Sequence, residues 1–96
     1  MLKLTPDLLD GEVMYLIQKV KGTRKPIKPE QDLISEVGLD SLDVTGILPL
    51  ELEVLFEKHG DKTSKIPNEE VFKWRKTSDV LSYTRRHAEE HFLYSA

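Results

Sequence analysis

The 96-residue sequence contains no cysteine. This absence excludes disulfides, thiolate metal sites and a cysteine nucleophile of the chain's own. The sequence also lacks any apolar run near the roughly 18 residues that a membrane-spanning helix needs. At the N-terminus, Asp7, Asp10 and Glu12 interrupt the apolar residues too early for a secretory signal, so we expect a cytoplasmic chain without a membrane span.

Basic residues are missing from the middle of the chain. Residues 30–57 contain eight Asp and Glu side chains and no Lys or Arg, whereas the net charge of the whole chain is only −3. Such an acidic block suits a basic protein partner and disfavours nucleic acid. The short clusters "KWRK" and "RRH" predict solvated basic faces, and we expect Trp74 in the core instead of on a base-stacking surface.

No segment alternates cleanly enough to predict a strand, whereas apolar residues recur at helical spacing. The first helix is predicted to start at Thr5-Pro6 and to end at Gly22. "PNEE" predicts a short helix, and the last helix is predicted to start at Ser78-Asp79. With the helix that follows Asp40, the pattern predicts an all-α bundle of three longer helices and one short one. We expect one domain over residues 1–96, with the tail from about residue 88 frayed.

The second helix carries two residues that disfavour helices, Gly46 and Pro49. Asp40 or Ser41 is expected to cap this helix. Its expected core stripe comprises Thr45, Leu48, Leu52, Leu55 and Phe56, widened by Ile47 and Leu50. Because strong helix formers resume after Pro49, the sequence predicts a kink between Thr45 and Pro49 and not an end of the helix. In the preceding turn, Leu33, Ile34 and Val37 are expected to face inward.

The segment "DLISEVGLDSLDV" resembles the signature of acyl carrier proteins, Gly-x-Asp-Ser-Leu-Asp followed by the second helix. The matching residues are Gly38, Asp40, Ser41, Leu42 and Asp43. "IPNEE" and "TSDVLSY" are similar to the segments that open the third and fourth helices of that family. The resemblance therefore covers nearly the whole chain in the right order.

The resemblance implies an acyl-carrier-like four-helix bundle in which Ser41 is esterified by 4′-phosphopantetheine. In that family a phosphopantetheinyl transferase donates the group from coenzyme A, and its thiol carries acyl intermediates for lipid or secondary-metabolite synthesis. The further partners implied are acyl-loading and acyl-transferring enzymes, and we expect a monomer. A serine at a helix N-terminus could hold a phosphodiester against free amides. The structural alternative for Ser41 is a helix cap, which is compatible with modification.

The expected partner-binding residues lie at the front and along the body of the second helix. They are Asp40, Leu42, Asp43, Glu51 and Glu53. The sequence also departs from the family: the second helix is one residue longer, the loop from Glu57 to Lys65 is longer, and Gly46 replaces a frequent acidic contact. These departures favour a specialised carrier over a housekeeping one.

Alternatives remain open. Within the carrier class, the chain could be a peptidyl or aminoacyl carrier. Outside it, the fold could serve as a protein–protein interaction module without modification. Catalysis is not expected, because Ser41 lacks a Gly-x-Ser-x-Gly elbow and is flanked by acids. In "HAEEH", His87 and His91 have metal-binding spacing, but the sequence places no third ligand near them, so we expect a solvated helix face and no metal site.

Overall fold

The computed structural model describes residues 4–61 and 65–91. Its helices are α1 (Pro6–Lys21), a π-helical segment (Asp43–Ile47) that continues into α2 (Leu48–Lys58), α3 (Asn68–Val71) and α4 (Thr77–Glu90). Within the two described ranges there is no strand, and Asp32 and Lys76 form an isolated bridge. The predicted all-α bundle with one short helix is therefore confirmed. None of the helices in these ranges is long and apolar enough to cross a membrane.

Helix α1 begins and ends as its sequence predicts. The Thr5 side chain accepts the Leu8 N–H at 3.2 Å, and Pro6 occupies the first helical position, where a missing N–H costs no hydrogen bond. At the other end, Gly22 adopts φ 75° and its N–H donates to the carbonyls of Gln18 and Lys19. A left-handed cap of this kind favours glycine. One side of α1 packs against α2 and α4.

The second helix (residues 41–58) is continuous but changes its hydrogen bonding near the start. The Leu48 N–H donates to the carbonyl of Asp43, five residues earlier, so Asp43–Ile47 forms a π-helical turn. Such a turn holds one more residue than an α-helical turn. The helix continues past Pro49 as predicted, and the disturbance before it takes the form of a π-helical turn that begins at Asp43. The kink between Thr45 and Pro49 stays a prediction. Pro49 follows at the start of α2, where the helix is already re-forming.

The extra residue in the π-helical turn sets which side chains of the second helix reach the core. Leu48, Leu52, Leu55 and Phe56 are buried as predicted, and Val44, which was not predicted in the stripe, is buried with them. Ile47 and Leu50 are 47% and 64% exposed, so their predicted core positions were wrong. Leu50 lies about 200° around the helix from Leu48, which turns it away from α1 and α4.

Two further residues that the sequence predicts to face the core, Thr45 and Ile34, are exposed. Thr45 is exposed, and its hydroxyl donates to the Ser41 carbonyl at 2.7 Å. Ile34 is 54% exposed, because the segment after Asp32 forms a turn and not a regular helix. Leu33 and Val37 are buried as predicted, and so is Trp74 at 5% exposure.

The loop before the second helix is fastened to the start of α4 by backbone bonds. The Leu33 N–H donates to the Arg75 carbonyl at 2.8 Å, and the Thr77 N–H donates to the Gln31 carbonyl at 2.9 Å. At Gly38 the chain adopts φ 93°, a conformation that side chains disfavour, and its carbonyl accepts Lys21 Nζ at 3.2 Å. These contacts fix the position of the residues that follow, which open the second helix.

Helix α4 starts one residue earlier than predicted, and the Asp79 side chain stabilises its N-terminus. The Asp79 carboxylate accepts the N–H groups of Arg75 and Lys76, each at 2.9 Å. Arg85 of α4 donates through Nε to both carboxylate oxygens of Asp10, each at 3.0 Å, and so joins α4 to α1. The helix runs to Glu90, and residues 92–96 of the predicted frayed tail lie outside the described residues.

Candidate functional site

Asp40 and Asp43 cap the second helix reciprocally. The Asp43 N–H donates to Asp40 Oδ1 at 2.8 Å, and the Asp40 N–H donates to Asp43 Oδ2 at 3.1 Å. This is the arrangement of a capping box, in which the cap residue and the third helical residue satisfy each other's backbone. Asp40 is therefore the cap, and Ser41 is the first residue of the helix.

Ser41 is exposed and is left out of this cap. Among residues 4–61 and 65–91 its hydroxyl forms no hydrogen bond, whereas its carbonyl accepts the Thr45 hydroxyl. Of the two residues predicted to cap the helix, Asp40 does so and Ser41 does not. The serine hydroxyl is available to another molecule without any loss of helix capping.

The first turn of the helix also offers backbone donors beside Ser41. The N–H groups of Ser41 and Leu42 have no partner in the part of the chain that the structure describes. Unpaired amides and the positive end of the helix dipole together favour a bound anion. A phosphodiester on the Ser41 oxygen would meet these donors, while the carboxylates of Asp40 and Asp43 remain engaged with the backbone. The site therefore fits a serine-linked phosphate group.

The expected partner-binding residues are not all equally free. Asp40 is exposed, and Leu42 is 73% exposed, so both can meet a partner. Asp43 is half-buried because it caps Asp40. Glu51 turns towards α1, where its carboxylate lies 3.8 Å from Lys19 Nζ.

For Glu53, the prediction of an accessible acid was wrong. Its side chain is only 17% exposed and accepts the Ile66 N–H at 2.9 Å, and Lys65 Nζ lies 3.8 Å away. The carboxylate thereby anchors the chain just before α3. Such a bond between distant residues leaves no signal in the local sequence.

An apolar stripe on the exposed face of the second helix was missed as a surface feature. Ile47, Leu50 and Val54 follow one another at helical spacing, and they are 47%, 64% and 62% exposed. The spacing of three and four residues is visible in the sequence, but it fits a buried stripe equally well. The π-helical turn places Leu48 and Leu52 in the core and leaves the stripe of Ile47, Leu50 and Val54 on the surface. The exposed face of this helix is therefore acidic at its front and apolar along its body.

None of the three histidines hydrogen-bonds to Ser41 within the described residues. His59 Nε2 lies 2.9 Å from Glu12 Oε2, and His87 Nε2 lies 2.8 Å from Asp61 Oδ2. The expected solvated face at "HAEEH" is wrong for His87, whose side chain is only 6% exposed.

A surface cavity of about 510 Å³ lies between α1 and α2. None of residues 40–43 lines it, so it is separate from the Ser41 site.

The chain is similar in sequence to a curated acyl carrier protein. No family model matches the chain. The chain is similar to the acyl carrier protein of Phytoplasma mali (strain AT), with 23% identity over 77 residues, which cover 80% of this chain and 83% of the relative. This similarity supports the resemblance indicated by the motif around Ser41 and by the order of the helices.

Proposed function

We propose that the chain is an acyl carrier protein that bears 4′-phosphopantetheine on Ser41. The observation that carries the proposal is the state of this serine: an exposed hydroxyl without a hydrogen bond, on the first residue of a helix that its neighbours already cap. A transferase could reach this oxygen without unfolding the helix. The attached group supplies the thiol that this cysteine-free chain lacks.

The residues around Ser41 would hold the phosphate and orient the arm. The backbone N–H groups of Ser41 and Leu42 would donate to the phosphate oxygens, since the second helix offers them unpaired. Leu42, at 73% exposure, would lie beside the attachment point on the surface. The Gly38 turn, tied to Lys21, would keep this first turn in place while partners exchange. The chain itself would deliver thioesters to other enzymes in the cytoplasm without turning them over.

Partners would dock on the exposed face of the second helix. Asp40 at its front suits a basic partner surface, and the apolar stripe of Ile47, Leu50 and Val54 adds area that can be buried on contact. The same face would serve the phosphopantetheinyl transferase and the acyl-loading and acyl-transferring enzymes. Gly46, which leaves open space on this face, supports a dedicated set of partners over the housekeeping set.

The proposal is tested by intact mass after incubation with coenzyme A and a broad-specificity phosphopantetheinyl transferase. We expect the wild-type chain to gain the mass of one phosphopantetheinyl group and Ser41→Ala to gain nothing. Ser82→Ala, at an exposed serine of α4, is the matched control and should be modified like the wild type. Because Asp40 provides the cap, Ser41→Ala should cost less than the ~1 kcal/mol typical of a lost cap. A wild-type chain that stays unmodified would contradict the proposal.

A further inference from the structure

Three side chains that are far apart in the sequence meet near the C-terminal end of α4. His87 lies in the last turn of that helix, His91 is the C-cap residue that follows it, and Asp61 comes after the end of α2. Asp61 Oδ2 lies 2.8 Å from His87 Nε2 and 3.7 Å from His91 Nδ1. Each of the three residues offers one ligand atom, and these three atoms lie within 4.8 Å of one another.

The cluster is held in place by its surroundings. The side chains of Asp61 and His87 are each only 6% exposed. The His87 ring stacks between Phe56, at a centroid distance of 4.1 Å, and His91, at 4.2 Å. The Asp61 N–H donates to the Phe56 carbonyl at 2.9 Å, after a turn in which Gly60 adopts φ 106°. Both elements that carry the ligands are therefore fixed to the same core residue.

We propose that Asp61, His87 and His91 bind a divalent transition-metal ion of the zinc class. Two imidazoles and one carboxylate form a ligand set that zinc and its neighbours prefer, whereas magnesium and calcium prefer oxygen ligands alone. The Asp61 carboxylate contributes a negative charge that compensates part of the charge of the ion. This site lies apart from Ser41 and does not depend on the proposed carrier function.

The distances in the cluster suit such an ion after small side-chain movements. Zinc binds nitrogen and oxygen at about 2.0–2.2 Å, so neighbouring ligands around a tetrahedral ion are about 3.3–3.6 Å apart. The two distances from Asp61 Oδ2, 2.8 Å and 3.7 Å, lie on either side of that range. Rotation of the exposed His91 side chain and a slight outward shift of Asp61 would bring all three atoms to the ion.

The cluster also has access to solvent. His87 and His91 line a surface cavity of about 400 Å³, which Glu90 lines as well. An ion could enter from this side, and water could complete a fourth coordination position. The bound ion would join the chain after α2 to the end of α4. We therefore expect metal binding to raise the thermal stability of the folded chain.

The test is a titration of the full-length, tag-free, metal-free protein with Zn²⁺ alone, followed by calorimetry, and with Co²⁺ alone, followed by visible absorption. We expect one ion per chain, a higher melting temperature with Zn²⁺, and the intense absorption of tetrahedral Co²⁺. His91→Ala changes an exposed residue and should leave the fold intact, yet weaken Zn²⁺ binding by more than about tenfold. Asp61→Asn should weaken it as well.

The third histidine provides the matched control. His59 pairs with Glu12 and is not part of the cluster, so His59→Gln should bind Zn²⁺ as tightly as the wild type. Circular dichroism checks that each variant is folded. The proposal is overturned if the wild type binds no Zn²⁺, if His91→Ala binds it as tightly as the wild type, or if His59→Gln loses binding to the same extent.

Discussion

At the scale of single residues, Asp32 stabilises the turn that leads to the site. Its Oδ1 accepts the N–H of Ile34 at 3.0 Å and that of Ser35 at 2.9 Å. These backbone hydrogen bonds, from Ser35 first and then Ile34, lower the pKa of the Asp32 carboxyl below its ordinary value of 3.8. The charged carboxylate is thus the form that the folded chain prefers.

This preference predicts a pH-dependent contribution to stability. A carboxyl with a lowered pKa in the folded state stabilises the fold above pH 3.8, and the contribution disappears as the pH falls through the lower folded value. We expect Asp32→Asn to unfold at lower urea concentration than the wild type at neutral pH, and the gap to close in acid. Glu30→Gln, at an exposed position of the same loop, is the control. An equal gap at both pH values would show that the charge of Asp32 is not responsible.

Single residues also show what local sequence can and cannot predict. Ser41 at a helix start and an acidic cap beside it follow from residue types and spacing alone. The roles of Glu53 and Asp61 do not, because each carboxylate finds its partner across a loop, at Ile66 and at His87. The sequence contains both partners but does not indicate which residues the folded chain brings together.

At the scale of elements, the π-helical turn explains how Gly46 and Pro49 fit into a continuous helix. The sequence predicts a disturbance there, because proline lacks an N–H and glycine disfavours helix. It predicts a kink but not the π-helical turn, since a kink and an extra residue in one turn both satisfy these constraints. The form matters, because it determines that Leu48 and Leu52 are buried while Ile47 and Leu50 are exposed.

Deletion of Gly46 tests this interpretation. Removing one residue from the π-helical turn should convert it to an α-helical turn and leave the core register of Leu52 and Phe56 unchanged. We therefore expect the variant to remain folded, with a melting temperature close to that of the wild type. Gly46 has no side chain, and the space where a Cβ would lie is open, so its deletion removes no side-chain contact.

The matched control is deletion of Val54, an exposed residue within the regular part of α2. That deletion rotates every following residue by about 100° and should take Leu55 and Phe56 out of the core. We expect it to unfold the chain or lower its melting temperature strongly. If the two deletions destabilise the chain equally, the π-helical turn does not absorb the extra residue.

At the scale of the whole molecule, charge and apolar surface are arranged along one helix. The acidic front of the second helix should attract basic partners, and this attraction is screened over about 8 Å at physiological salt. We expect the Kd for a phosphopantetheinyl transferase to rise with salt concentration. Leu50→Ala should weaken binding by about 1 kcal/mol, or roughly fivefold in Kd, because Leu50 lies on the apolar stripe.

Leu8→Ala serves as the control for this surface, since Leu8 is also exposed but lies at the start of α1. It should bind like the wild type. Binding that is indifferent to salt would count against the acidic front, and equal losses in Leu8→Ala and Leu50→Ala would count against the apolar stripe. Neither result would bear on the proposal that Ser41 is the attachment site.

The most direct measurement of the central claim uses the absence of cysteine. The chain has no thiol of its own, so any thiol in the purified protein must come from an attached group. After incubation with coenzyme A and transferase, and removal of free coenzyme A under denaturing conditions, thiol titration should give one thiol per wild-type chain and none in Ser41→Ala. A wild-type chain without a thiol, or a Ser41→Ala chain with one, would contradict the account.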